Sequence, residues 1–220
     1  MPYREPFAEG DLYHIFNRGA WRRRIFLDDE NYYFFIRLLR VHLGKHQIGL
    51  VCYCLMPNHF HLLLLQDGTR SISRFVQGLL SAYVQAFNKQ QNRTGTLFEG
   101  RFKHVHVDTQ EYLLHLIRYI HLNPVRAGLV AKPEEWAFSD YRLWTQPPFP
   151  KVTGDWLDDG TFGKLPERIG RYREMLGIPG PSEYEKFVGD YNELVEADSR
   201  FRKYLFDQGT FPKISQEWPG

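Results

Sequence analysis

The chain has 220 residues, 43% apolar and 25% charged, a globular composition that excludes a disordered chain. No apolar run approaches the roughly 20 residues of a membrane helix, and no charged-then-apolar leader opens the sequence, so the expectation is a cytoplasmic protein with no membrane partner. The net charge of +2 hides an asymmetry: residues 1–150 hold 18 Lys/Arg against 13 Asp/Glu and residues 151–220 hold 10 against 13, so the front portion suits a polyanion without demanding one.

Leu12-Tyr13-His14-Ile15-Phe16 reads as a first strand ended by Asn17-Arg18-Gly19. Arg22, Arg23 and Arg24 follow in the next loop, where a cationic cluster suits phosphate contacts or simple solvation. Asp28-Asp29-Glu30 begins a helix to about Gln47, with Tyr32, Phe35, Ile36, Leu39 and Leu43 at helical spacing. Ile48 to Leu55 is a second strand. After Pro57-Asn58 the stretch His59-Phe60-His61-Leu62-Leu63-Leu64-Leu65 returns as its hairpin partner. Side chains two apart on a strand share a face, so His59 and His61 project together, as two metal ligands or as ordinary half-buried histidines.

Ser71 to about Gln91 is a second amphipathic helix, with Phe75, Leu79, Tyr83 and Phe87 four apart. Leu97 to Lys103 leads into a strand ending near Val107. Asp108 and Glu111 form a capping box for a third helix, Thr109 to Leu122, which Asn123-Pro124 closes or kinks. On that helix Leu113, Leu116, Ile117 and Ile120 make a core stripe, and Tyr112, His115, Tyr119 and Asn123 line the stripe beside it. Such a row either borders a cleft or lets Tyr119 reach water while its ring packs. The segment Thr145-Gln-Pro-Pro-Phe-Pro150 marks a linker. Beyond it Ser182 and Glu185 cap a helix with Tyr184, Phe187, Val188, Tyr191, Leu194 and Val195 on one side. The βαββαβα order predicts an α+β fold with an antiparallel sheet covered by helices.

Several of these stretches together carry a resemblance. Met56-Pro-Asn-His-Phe-His-Leu-Leu63 resembles the His-hydrophobic-His strand of the single-tyrosine HUH transposases. Gly95-Thr-Leu-Phe-Glu-Gly-Arg-Phe-Lys103, Tyr119-Ile-His-Leu-Asn-Pro-Val-Arg-Ala-Gly128 and Tyr13-His-Ile-Phe-Asn-Arg-Gly19 are similar to motifs of their REP-associated branch. The resemblance spans about residues 10–144 and implies a ferredoxin-like sheet, the HUH endonuclease fold. It implies a metal-dependent single-stranded DNA endonuclease and strand transferase that acts at DNA hairpins through a 5′-phosphotyrosine intermediate. Mapped onto this chain, Tyr119 is the nucleophile, and His59, His61 and Asn123 hold a divalent metal, Mg²⁺ or Mn²⁺. Tyr112 does not fit that register.

Arg18, Arg22, Arg23, Arg101, Lys103 and Arg126 are candidate DNA contacts, and His115, one turn before Tyr119, is a candidate proton relay. The partner expected is single-stranded or hairpin DNA, and the protein is a monomer or homodimer. Residues 1–145 form the nuclease domain, and 146–220 are a Pro-rich linker and helical extension packed on it. The competing reading is a catalytically silent hairpin-binding protein derived from a transposase. Two local rivals remain. Cys52 and Cys54, which sit too awkwardly for a disulfide, could join His59 and His61 in a zinc site. His104 and His106 repeat the His-x-His pattern, as DNA contacts or plain surface.

Overall fold

The computed structural model describes residues 7–46, 48–68, 71–145, 165–178 and 180–193. In chain order they form β1 (Leu12–Arg18), α1 (Asp29–His46), β2 (Gly49–Met56), β3 (His59–Leu65), α2 (Ile72–Gln90), β4 (Lys103–Val107) and α3 (Gln110–Arg126). Then come α4 (Tyr141–Thr145), α5 (Leu165–Met175) and α6 (Pro181–Gly189). The strands make one antiparallel sheet in the order β2-β3-β1-β4, the βαββαβ plan of ferredoxin-like folds. Among the described residues no helix is long and apolar enough to cross a membrane.

The sheet is covered on both faces, and β3 lies inside it. Phe60, Leu62 and Leu64 join Ile15, Leu55 and the apolar stripes of α1 and α2 in one core. Leu63 packs instead with Cys54, Met56, Leu116, Ile117 and Ile120 on the α3 side, the face to which His59 and His61 also belong by strand alternation. A register shift between Leu50 and Cys52 lets both Val51 and Cys52 join the α3-side core, as a bulge does by inserting one extra residue. At Gly78 of α2 a Cβ would stand 2.7 Å from the His42 ring of α1, so these helices approach closely there because the residue has no side chain.

Pro124 does not end α3, which runs on to Arg126. A proline inside a helix forfeits one backbone bond, but here it falls in the last turn. Gly128, at φ +67, then closes the helix: its N–H bonds the Val125 carbonyl, and the Leu129 N–H bonds that of Pro124. This is a Schellman closure. The N-cap is Thr109, whose hydroxyl accepts from the Tyr112 N–H at 3.2 Å, in place of the expected Asp108 box. For α6 the cap is Gly180 rather than Ser182. Residues 146–150, Leu194 and Val195 lie outside the described residues.

Helices α5 and α6 contribute Ile169, Tyr184 and Val188 to the α3-side core, and Leu176, just past the end of α5, joins them. A buried polar chain ties them there. Tyr184 donates to His121 Nδ1 (2.6 Å), His121 Nε2 donates to Asp140 Oδ1 (3.0 Å), and Asp140 also accepts from the Tyr53 N–H (2.8 Å) and Trp144 Nε1 (3.1 Å). His121 sits on α3 between Tyr119 and Asn123. Removing one partner of a buried bond leaves the other unsatisfied, at a cost of about 1–3 kcal/mol. Tyr184→Phe is therefore expected to lower stability by about that amount, read as a lower urea midpoint. An unchanged midpoint would remove the chain from the stabilising interactions.

Candidate metal and nucleophile site

The hairpin β2–β3 turns through Pro57 and Asn58, which places Met56 opposite His59 and Cys54 opposite His61. The turn is clamped from outside. Gly19 N–H bonds the Asn58 carbonyl at 2.8 Å, and Ile25 and Phe26 N–H both bond the Pro57 carbonyl. Asn58 works with its side chain as well, donating from Nδ2 to the Arg22 carbonyl (3.2 Å) and presenting Oδ1 to His59 Nδ1 at 2.7 Å.

Those two bonds fix a tautomer by proton bookkeeping. Asn58 Oδ1 only accepts, so His59 Nδ1 carries the proton and Nε2 is a bare lone pair. Across from it, at 3.3 Å, lies Oδ1 of Asn123, a second acceptor. Asn123 Nδ2 has no hydrogen-bond partner among the described residues, although a half-turn of the amide would give it His59. Two lone pairs thus face one point, an arrangement that a cation between them fits.

His61 stands beside His59, ring centroids 5.0 Å apart, and its Nδ1 is 2.9 Å from Nε2 of His14 on β1. The ring of Tyr119 approaches His61 edge-on at 5.3 Å. One helical turn separates Tyr119 from Asn123, so α3 presents both to the histidines of the same chain. Burial holds the imidazoles neutral: His14 falls to about 3, His59 to about 4 and His61 well below its usual value, lowered further by its two histidine neighbours. Neutral imidazoles are the ligating form. Tyr119 is 1% exposed and Asn123 fully buried, so both side chains are shielded from solvent in this structure.

The structure places the basic residues unevenly. Arg22 and Arg23 are exposed in a tight turn beside Asn58, with Trp21 and Arg22 at positive φ and Trp21 87% exposed. At Gly19 a Cβ would collide with the Arg23 carbonyl oxygen, so the turn needs glycine there. Arg18, opposite His59 in the ladder, makes a forked pair with Glu99 through Nε and Nη2, the latter at 2.9 Å. Arg101 and Lys103 are exposed. Arg126 lies 4.8 Å over the ring of Tyr191, whose hydroxyl is 2.9 Å from His115 Nε2.

His104 and His106 pair with Ile15 and Tyr13 across the ladder, which puts them on the α1–α2 side, away from His59. His106 meets Asp11 at 2.9 Å. Burial and the nearby Asp140 push the Cys52 and Cys54 thiols well up, away from the thiolate that zinc prefers. Among the described residues no three His, Cys, Asp or Glu side chains converge on a metal position, so the Cys/His zinc arrangement is not formed.

Two residues of this cluster lie inside the motif-like stretches, yet no spacing in the sequence marks a role for them. His14 is one apolar-strand residue among several, and Asn58 reads only as a turn former. Pairing His14 with His61 needs the β1–β3 register, which no local pattern reveals.

Comparison with known proteins follows the same lines. The family model for IS200-like transposases matches residues 10–123. A Haemophilus influenzae protein named as a REP-associated tyrosine transposase is 25% identical over 175 residues, 70% of this chain and 98% of its own length. A solved structure of a REP-associated tyrosine transposase bound to a REP hairpin superposes with a TM-score of 0.59. It covers 73% of this chain and 96% of its own at 18% identity, a likeness of fold.

Proposed function

We propose, from the premise that this chain belongs to the IS200-like transposase family, that it nicks and rejoins single-stranded DNA at hairpins with Tyr119 as nucleophile. The observation that carries the reading is the delivery by α3 of a phenol and an amide, one turn apart, to a pair of neutral histidines. His59, His61 and Asn123 would hold Mg²⁺ or Mn²⁺ through two imidazole nitrogens and an amide oxygen, a neutral donor set. A divalent cation bound there supplies Lewis-acid withdrawal of charge from the scissile phosphate.

The Tyr119 oxygen attacks phosphorus, the P–O3′ bond breaks, and the departing oxygen takes a proton to become a free 3′-hydroxyl. The 5′-phosphate stays esterified to Tyr119, so a new 3′-hydroxyl reverses the step and joins strands. The phenolic proton leaves to a base, for which His115, one turn away and bonded to Tyr191, is the candidate.

The binding partner in this reading is a DNA hairpin, met by the Trp21–Arg23 turn and by Arg101 and Lys103. For Arg18 to touch DNA it must exchange its Glu99 partner. Replacing Arg22 and Arg23 together by Ala is expected to weaken hairpin binding and to flatten the plot of log K against log salt by about 2. An unchanged slope would take this turn off the DNA.

The test of the whole reading uses a labelled hairpin oligonucleotide with Mn²⁺. A 3′-label should move into a denaturation-resistant protein adduct, while a 5′-label is released on a shortened strand with a 3′-hydroxyl. Hairpin binding with neither product would instead mark the silent, binding-only protein.

A further inference from the structure

We infer that His14, buried in β1, accepts the Nδ1 proton of His61 and so holds His61 Nε2 bare for a metal. The inference rests on the proposed metal site but concerns a residue outside the ligand set.

The geometry is that of two imidazoles joined edge to edge. His14 Nε2 and His61 Nδ1 are 2.9 Å apart, and the ring planes differ by 24° with centroids 5.1 Å apart, too far for face-to-face contact at that nitrogen spacing. Both rings are fully buried, so water does not compete for the bond.

A neutral imidazole has one N–H and one lone pair, which leaves two ways to arrange the pair. If His14 donates, His61 receives at Nδ1 and carries its own proton on Nε2, which bars Nε2 from a metal. If His61 donates, His14 receives at Nε2, keeps its proton on Nδ1, and His61 Nε2 is bare. Only the second arrangement matches His59, which already donates from Nδ1 to Asn58 and presents a bare Nε2 toward Asn123. The two histidines are thus anchored by the same ring nitrogen, one to an amide carbonyl and the other to an imidazole. A ligating histidine characteristically gives its second N–H to an oxygen acceptor that fixes the ring. In this chain a histidine takes that place.

His14 Nδ1 has no hydrogen-bond partner among the described residues. That atom carries the proton in the metal-competent arrangement and a lone pair in the other. Metal loading at His61 and the position of the His14 proton are therefore a single equilibrium. His14 is a positioning residue, since it touches a proposed ligand and none of the reacting atoms.

Two measurements test this. Nitrogen NMR of the metal-free wild-type protein, with ¹⁵N-labelled histidine, is expected to show His61 protonated on Nδ1 and His14 Nε2 as its acceptor. A His61 protonated on Nε2 overturns the inference. Mn²⁺ binding, followed by loss of the free-ion electron resonance signal, is expected to weaken about 10- to 100-fold in His14→Phe. In His14→Gln, whose amide oxygen can accept the same proton, it should recover most of the way. Wild-type affinity in His14→Phe, or a Gln variant as weak as Phe, also overturns it. Should His61→Ala bind Mn²⁺ as wild type does, the metal reading itself has failed, and the NMR spectrum alone still decides the role of His14.

Discussion

Tyr119→Phe is expected to abolish the covalent protein–DNA adduct, a loss of at least about 10⁴-fold in cleavage, because the ring that remains has no oxygen to attack phosphorus. The change deletes one atom from a side chain 1% exposed and leaves the ring against His61. Stability should therefore fall by only about 1 kcal/mol, and hairpin binding should stay near wild type. That combination separates chemistry from folding. His61→Ala gives the complementary result, lost cleavage with binding kept, because Tyr119 remains but the metal does not. Gel analysis of adduct and fluorescence anisotropy of the hairpin read the two quantities. A labelled adduct that survives in Tyr119→Phe would move the nucleophile elsewhere, with Tyr112, buried in the first turn of α3, next in line.

Acid is expected to unfold this protein unusually early. Burial holds His14 near 3, His59 near 4 and His61 well down, while in the unfolded chain each returns to about 6.5. Well above pH 6.5 all three are neutral in both states and stability is complete. As pH falls from 6.5 toward 4 the unfolded chain takes up protons that the folded one refuses, so stability drains at about 1.4 kcal/mol per pH unit per histidine. By pH 5 His14 and His59 have each cost about 2 kcal/mol, on the order of 4 together, and His61 adds in the same direction, a large part of the total stability of an ordinary domain. Urea midpoints at pH 7.5, 6.5, 5.5 and 5.0, taken in chelator, should fall slightly across the first pair and then steeply. A flat profile to pH 5 would mean that the imidazoles ionise in place.

The order of elements was readable because periods of 2 and 3.6 alternate along the chain and the turn at Pro57-Asn58 allows only a hairpin. Those patterns placed β3 on its observed bounds and α3 within a residue of its start, though four residues short of its end at Arg126, and with them the positions of His59, His61, Tyr119 and Asn123. Pro124 misled because the rule counts a lost N–H bond without asking where in the helix it falls; in the last turn Gly128 and Leu129 close the end regardless. His14 and Asn58 stayed hidden for another reason. Their importance lies in bonds to His61 and His59 that depend on side-chain direction, and no spacing in the chain encodes that. The same holds for Tyr184, which meets His121 across 63 residues.

The interior strand β3 carries its apolar and its chemical residues in strict alternation, Phe60, Leu62 and Leu64 to one face and His59 and His61 to the other. A slip of one residue against β1 and β2 would exchange the faces completely, stranding two imidazoles in an oily core and turning phenyl and leucyl groups toward Tyr119. Such a molecule would be both unstable and inert. The clamp on Pro57 and Asn58 from Gly19, Ile25 and Phe26 therefore guards the alignment: it holds the turn in the one setting that keeps both imidazoles on the side of Tyr119.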